Sequence, residues 1–212
     1  MITEWPRLDF SAHLFVNGLP LVLNLHHMEQ RLLDKRITTN ERLQVESDLA
    51  DKDLPRFVTV AAHDDDDPLL FRFVVAGDNV YEMYADSPGK YQGWRLHMDP
   101  VKRHMSVVDS STDALFSLIG KEGVRLGLDD LSVGSLSVVL VSEERKSGIY
   151  LTTTNYRDKR PDIKRPAVKK IIVDVNPNFT GHDAFNGEVA KFVLKVVKQP
   201  EWDDGDDWFL AG

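Results

Sequence analysis

At 212 residues, with 34 acidic against 26 basic side chains and a formal net charge of -8, the chain suits one domain that buries a core without covalent staples. Its charge argues against nonspecific adhesion to nucleic acid or anionic lipid, and the absence of cysteine excludes a disulfide framework, thiolate metal sites and thiol catalysis. No stretch approaches the roughly 20 apolar residues that span a bilayer, and no basic leader precedes an apolar block, so a soluble, cytoplasmic protein without a membrane partner is expected.

Residues 8–25, LDFSAHLFVNGLPLVLNL, are apolar with β-branched and aromatic side chains. They predict a strand leading toward a helix near 25–35, where Leu25, Met28, Leu32 and Leu33 recur at helical spacing. His26 and His27 are adjacent, point in different directions in any regular structure, and with Glu29 complete no metal signature. A strand near 56–62, the turn HDDDDP, a strand near 69–76, the turn AGDN, VYEMYA, and YQGWRLHM after Ser87-Pro88-Gly89 predict an antiparallel meander. HDDDDP lacks the spaced ligands and glycine of a calcium loop and reads as a polar turn.

Beyond the meander, SSTDALFSLIGKEG predicts a helix opening on Ser110 or Ser111 and closing at Gly120 or Gly123. DDLSVGSLSVVLVSEE is open between helix and strand, since its aspartates favour one and its valines the other. SGIYLTTTNY at 147–156 and KKIIVDVNP at 169–177 predict strands, and GHDAFNGEVAKFVLKVVKQPEW predicts a helix that ends before Pro200. No internal repeat is visible. Acidic side chains collect at 63–67 and 201–208, while RDKRPDIKRPAVKK at 157–170 is basic. That run is either a footprint for an anionic partner or a solvated connection held open by Pro161 and Pro166.

On the predicted last helix Phe185, Val189, Phe192, Val193 and Val196 form an apolar stripe, and Glu188, Lys191 and Lys195 lie together beside it. Glu188 and Lys191 are a surface ion pair of the ordinary kind or a catalytic pair. FRFVVAGDNVYEMYADSPGKYQGWRL at 71–96, with Asp78-Asn79-Val80-Tyr81 followed by Tyr84 and Trp94, resembles the central sheet of the ribosome-inactivating proteins, especially the cereal type. VRLGLDDL at 124–131 is similar to that family's Leu-Gly-x-x-x-Leu segment. GEVAKF at 187–192 resembles its Glu-Ala-x-Arg-Phe signature, with Glu188 and Phe192 in register and Lys191 where the family has arginine.

The resemblance implies a single α+β domain over residues 1–212, with a mixed or antiparallel sheet in the N-terminal half, a mainly helical region after it, and an acidic segment at about 200–212. It implies an rRNA N-glycosylase that removes an adenine from large-subunit ribosomal RNA, with the ribosome or its RNA as partner and no cofactor or metal. Tyr81 would stack on the extruded adenine, a contribution of roughly 1–3 kcal/mol. Glu188 would stabilise the oxocarbenium-like ribose and orient water, and Lys191 would donate toward the departing base. Thr112 stands near the family's second tyrosine, and Trp202, Arg157, Lys159 and Arg160 complete the substrate-binding set. The alternative is a noncatalytic binding or structural protein on a degenerate version of that scaffold, with an unidentified protein partner. The two readings separate on whether Tyr81, Glu188 and Lys191 converge on a purine-sized space or Tyr81 packs in the core.

Overall fold

In β1 (Asp9–Val16) Phe10, Ala12, Leu14 and Val16 are all buried, and the same alternation recurs in five other strands. The structure, a computed structural model, describes residues 8–99, 104–132, 134–154, 168–172 and 184–198, with the backbone alone for 152–154, 168–172 and 184–188. Phe71 and Phe73 face inward from β4 (Leu70–Gly77), Tyr81, Met83 and Ala85 from β5 (Val80–Ala85), and Phe116 and Leu118 from the strand Phe116–Ile119. Val138 and Leu140 do so from the strand Gly134–Ser142, and Phe192, Leu194 and Val196 from Lys191–Lys198. A period of two with one apolar face is what a half-buried strand requires.

Numbered in chain order, the remaining elements are β2 (Leu19–Leu23), α1 (Asn24–Leu33), α2 (Thr39–Ala50), β3 (Val58–Val60), β6 (Arg95–Met98) and β7 (Met105–Val108). Then come β8 (Phe116–Ile119), β9 (Gly134–Ser142), β10 (Ser147–Gly148), β11 (Tyr150–Thr154), β12 (Val168–Ile172), β13 (Ala184–Val189) and β14 (Lys191–Lys198). β1 pairs with β4, β4 with β5, β5 with β8, β8 with β9, β9 with β14, and β14 with β1, all antiparallel. The ring closes into a six-stranded barrel. Closure satisfies the backbone of each strand on both sides and leaves none of the six as an open edge.

Between the barrel strands lie three further antiparallel pairs: β2 with β3, β6 with β7, and β11 with β12. They meet one another, because Thr59 of β3 pairs with Lys170 of β12 and an isolated bridge joins Phe57 to Ser106 of β7. The result is a threefold, trefoil-like arrangement of units that begin at β1, β5 and β9, the third enlarged by β10 on β9 and β13 on β11. The sequence shows no repeat because each unit keeps only its inward pattern and differs in its loops. In the first unit, α1 and α2 are inserted between β2 and β3. A capping box starts α2: the Glu41 N–H donates to Thr38 Oγ1 and the Thr38 N–H to Glu41 Oε2.

The expected mainly helical C-terminal region is therefore corrected. The fold is mostly antiparallel sheet, and the two α-helices of the described residues both precede β3. The helix predicted over 110–120 is an irregular stretch leading into β8, and the helix predicted across 185–197 is β13 and β14. Both segments satisfy two periodicities at once. Residues 192, 193 and 196 fit a helix, but 192, 194 and 196 fit a strand, and β1 and β9 supply a partner on each side of β14 that pairing requires. The ambiguous stretch after Asp130 is strand β9. The strand predicted to lead from residue 8 into a helix is broken by Asn17 and Gly18, both at positive φ, 52° and 81°, the backbone that a tight two-residue hairpin demands. The helix near 25–35 and the meander strands lie close to where the spacing puts them. Residues 200–212 and most of the basic run lie outside the described residues.

Phe10 and Phe73 stack at 4.6 Å between ring centroids, and Tyr81 meets them edge-on at 5.6 and 6.1 Å. Phe73→Ala should lower stability by about 3–5 kcal/mol, read from the denaturant midpoint. A change below about 1 kcal/mol would mean that this aromatic cluster is not the centre of the core.

Candidate binding surface

Tyr81 is an inward position of β5 and is only 1% exposed. Its hydroxyl donates to the Leu126 carbonyl at 2.9 Å. Burial, with Asp130 adding to it, pushes the phenol up to about 12. Packed against two phenylalanine rings, it has no face open to a base, and its assignment to adenine stacking is corrected to a core role. Asp78-Asn79 is the turn between β4 and β5, with Asn79 at φ 55°, so the tyrosine that follows in register points into the barrel.

Glu188 is the last residue but one of β13, and Lys191 opens β14. Extended chain rises about 3.3 Å per residue, so the shared helical face that was to carry both groups does not form. Lys191 is exposed on the outside of the barrel, and the barrel wall separates it from Tyr81. For Glu188 the backbone alone is described. Thr112 is half-buried, and its Oγ1 accepts the Ala114 N–H at 3.0 Å, a local turn that leads the chain into β8. Trp202, Arg157, Lys159 and Arg160 lie outside the described residues. The structure thus does not bring Tyr81, Thr112 and Lys191 together.

The histidines join strands and helices. His27 Nε2 lies 2.8 Å from the Val60 carbonyl, so that nitrogen carries the proton and ties α1 to β3. His26 Nε2 stands 3.3 Å from Asp66, whose other oxygen accepts the His63 N–H at 3.1 Å. Burial works against it, yet the His63 N–H and the His26 ring hold the Asp66 carboxyl below its ordinary value. Among the described residues no group of three or more His, Asp or Glu is arranged to hold a metal. His97 Nε2 and Ser106 Oγ are 2.9 Å apart, a nucleophile-and-base distance. They are cross-strand neighbours of β6 and β7, and Ser106 is 5% exposed. A hydroxyl closed off in that way serves packing. Sequence spacing missed the pair because antiparallel register, not chain distance, joins residues nine apart.

Aromatic rings and cations gather on the described surface at the loop between β5 and β6. Ala85 exchanges backbone hydrogen bonds with Gly93 and Trp94, at 2.7 and 2.9 Å, and Ser87 Oγ accepts the Leu70 N–H at 2.7 Å. Gly89 and Gly93 stand at φ 139° and 78°, conformations in which a side chain is strained. On this braced loop Trp94 is half-buried, with the Tyr91 ring at 4.9 Å. The Arg56 guanidinium lies 4.8 Å from the Trp94 centroid, and the exposed Lys90 ammonium 5.3 Å from that of Tyr91. Farther along the sheet Arg72 lies 5.0 Å over Tyr84. Glu82 pairs with Arg95 at 3.0 Å and accepts the Tyr84 hydroxyl at 2.5 Å. Those cations are neutralised locally. No ion pair involves Arg56 or Lys90 among the described residues. Trp94 entered the sequence reading through the resemblance; Arg56 did not, because 38 positions separate it from Trp94.

No protein-family model, curated protein or solved structure matches the chain.

Tyr81→Phe should cost about 1 kcal/mol by stranding the Leu126 carbonyl, measured by denaturant unfolding; an unchanged midpoint would count against the buried hydrogen bond. A second expectation concerns acid. Burial holds His27 and His97 below the ordinary 6.5, against the opposing pull of the Val60 carbonyl and then Asp66 on the first and of Asp99 and Glu144 on the second. Both therefore bind protons more readily when unfolded. Their stabilisation is complete above about pH 6.5 and is lost as the pH falls through their lower folded values. The melting temperature should drop from about pH 7 to about pH 5, and less steeply in His27→Gln/His97→Gln; equal slopes would assign the loss to other groups.

Proposed function

We propose that this chain is a binding protein without turnover and that the surface around Trp94 recognises its partner. The observation that supports this reading is the burial of Tyr81 in the barrel, with Lys191 on the other side of the wall. Catalysis of glycosidic cleavage needs a stacking group and charge-stabilising groups around one base, and these residues occupy opposite sides of a packed sheet. An aromatic ring on a rigid loop beside two cations suits a protein partner that presents carboxylates next to an apolar or aromatic side chain. Little ordering entropy is lost there, because the loop is already tied to β4 and β5.

Intact ribosomes incubated with the protein should release no adenine, and their RNA should resist aniline-induced scission. A partner retained by the immobilised chain should be lost from Trp94→Ala and kept by Lys121→Glu, a change on an exposed turn. Adenine release that disappears in Glu188→Gln would overturn this reading in favour of the N-glycosylase that the sequence resembles.

A further inference from the structure

The helical insertion between β2 and β3 is polarised along its length. The barrel holds it at one end, where Asn24 donates its backbone N–H to the Phe57 carbonyl at 2.7 Å and its side-chain amide to the Leu54 carbonyl at 2.9 Å. Arg31, Thr38, Glu41 and Arg42 make their hydrogen bonds within the insertion. At its other end Leu33 is 74% and Leu43 60% exposed. The Arg42 guanidinium donates to the Leu32 carbonyl at 3.1 Å, so both leucines belong to one tip, beside the chain reversal at 34–38. Charge is divided in the same way. The two carboxylates of the tip, Asp34 and Glu41, are both taken by Arg31, at 2.6 and 2.8 Å. Lys35, Arg36 and Arg42 are exposed and enter no ion pair among the described residues. The barrel end is acidic, because Asp66 lies 3.3 Å from His26, and Asp64, Asp65 and Asp67 are exposed in the same turn. Along α1 the step from His26 to Leu33 is about 10 Å.

We propose that this tip docks on an anionic bilayer, with Leu33 and Leu43 entering the acyl boundary and Lys35, Arg36 and Arg42 lying among the headgroups. Peripheral attachment needs apolar side chains at a projecting end and cations beside them, and the tip supplies both. Long basic side chains keep their charges at headgroup level while neighbouring apolar groups sink below. A protein partner would have to offer a pocket for each leucine, whereas a bilayer takes both without one. The net charge of -8 opposes adhesion in any other pose, so attraction of the tip and repulsion of the acidic barrel end fix the orientation. Among the described residues no helix is long and apolar enough to cross a membrane, and two leucines give a reversible contact. This inference does not rest on the reading of the Trp94 surface.

The test is cosedimentation of the full chain with vesicles. Vesicles of phosphatidylcholine and phosphatidylserine in equal amounts should retain the protein, and vesicles of phosphatidylcholine alone should not. Retention should be lost near 1 M salt, where the screening length falls to about 3 Å. Lys35→Glu/Arg36→Glu and Leu33→Ser/Leu43→Ser should each lower the partition coefficient at least about tenfold, with unchanged circular dichroism spectra, and Lys121→Glu should leave it as it is. Because the chain has no cysteine, Leu33→Cys carries an environment-sensitive fluorophore at the tip alone, and its emission should move toward the apolar value on the mixed vesicles. No retention, equal retention on both kinds of vesicle, retention indifferent to the tip substitutions, or retention with an unshifted label would overturn the proposal. So would a label shift that grows with protein concentration in the absence of vesicles, which would assign the leucines to a second copy. Capture on immobilised polyglutamate but not on vesicles would overturn it in favour of an acidic protein partner.

Discussion

Closure of the barrel is the constraint on which the rest depends. Six strands must each turn one apolar face to a common axis, and a ring that small leaves room for side chains alone. Phe10, Phe73 and Tyr81 meet there, and Phe71, Phe116 and Phe192 are equally buried. The Tyr81 hydroxyl enters this core with a partner, the Leu126 carbonyl.

A filled interior leaves only the outer surface open to any partner. The wall of the barrel divides the chain's side chains into two populations, and adjacent residues in one strand fall on opposite sides of it. Lys191 and Phe192 illustrate the division: one is solvated, the other buried. Groups that must cooperate in binding therefore come from loops and from outward positions of neighbouring strands. Arg56, Lys90, Tyr91 and Trp94 satisfy that condition.

The helical insertion obeys a different logic. No residue of α2 is buried, and Leu33 and Leu43 are largely exposed. Polar bonds fasten the pair: Asn24 donates its backbone N–H to Phe57 and its side-chain amide to Leu54, His27 donates to Val60, and Arg31 bridges Asp34 and Glu41. Such an attachment stabilises less than burial does, because each exposed pair exchanges one set of water contacts for another.

The sequence by itself determined the local features that a few neighbours decide: the alternation of β4 and β5, the turns at HDDDDP and Asp78-Asn79, and the amphipathic start of α1. It also determined that thiol chemistry is excluded. It pointed to a helix where β14 forms, because the apolar residues there satisfy a helical and an extended period together, and only the presence of β1 and β9 on its two sides selects the strand. The same holds for the candidate site. Tyr81 after a turn is compatible with an exposed stacking ring or a core ring, and barrel closure chose the core. Which residues face each other across strands, His97 with Ser106 or Phe15 with Val193, follows from register, and register is a property of the assembled sheet.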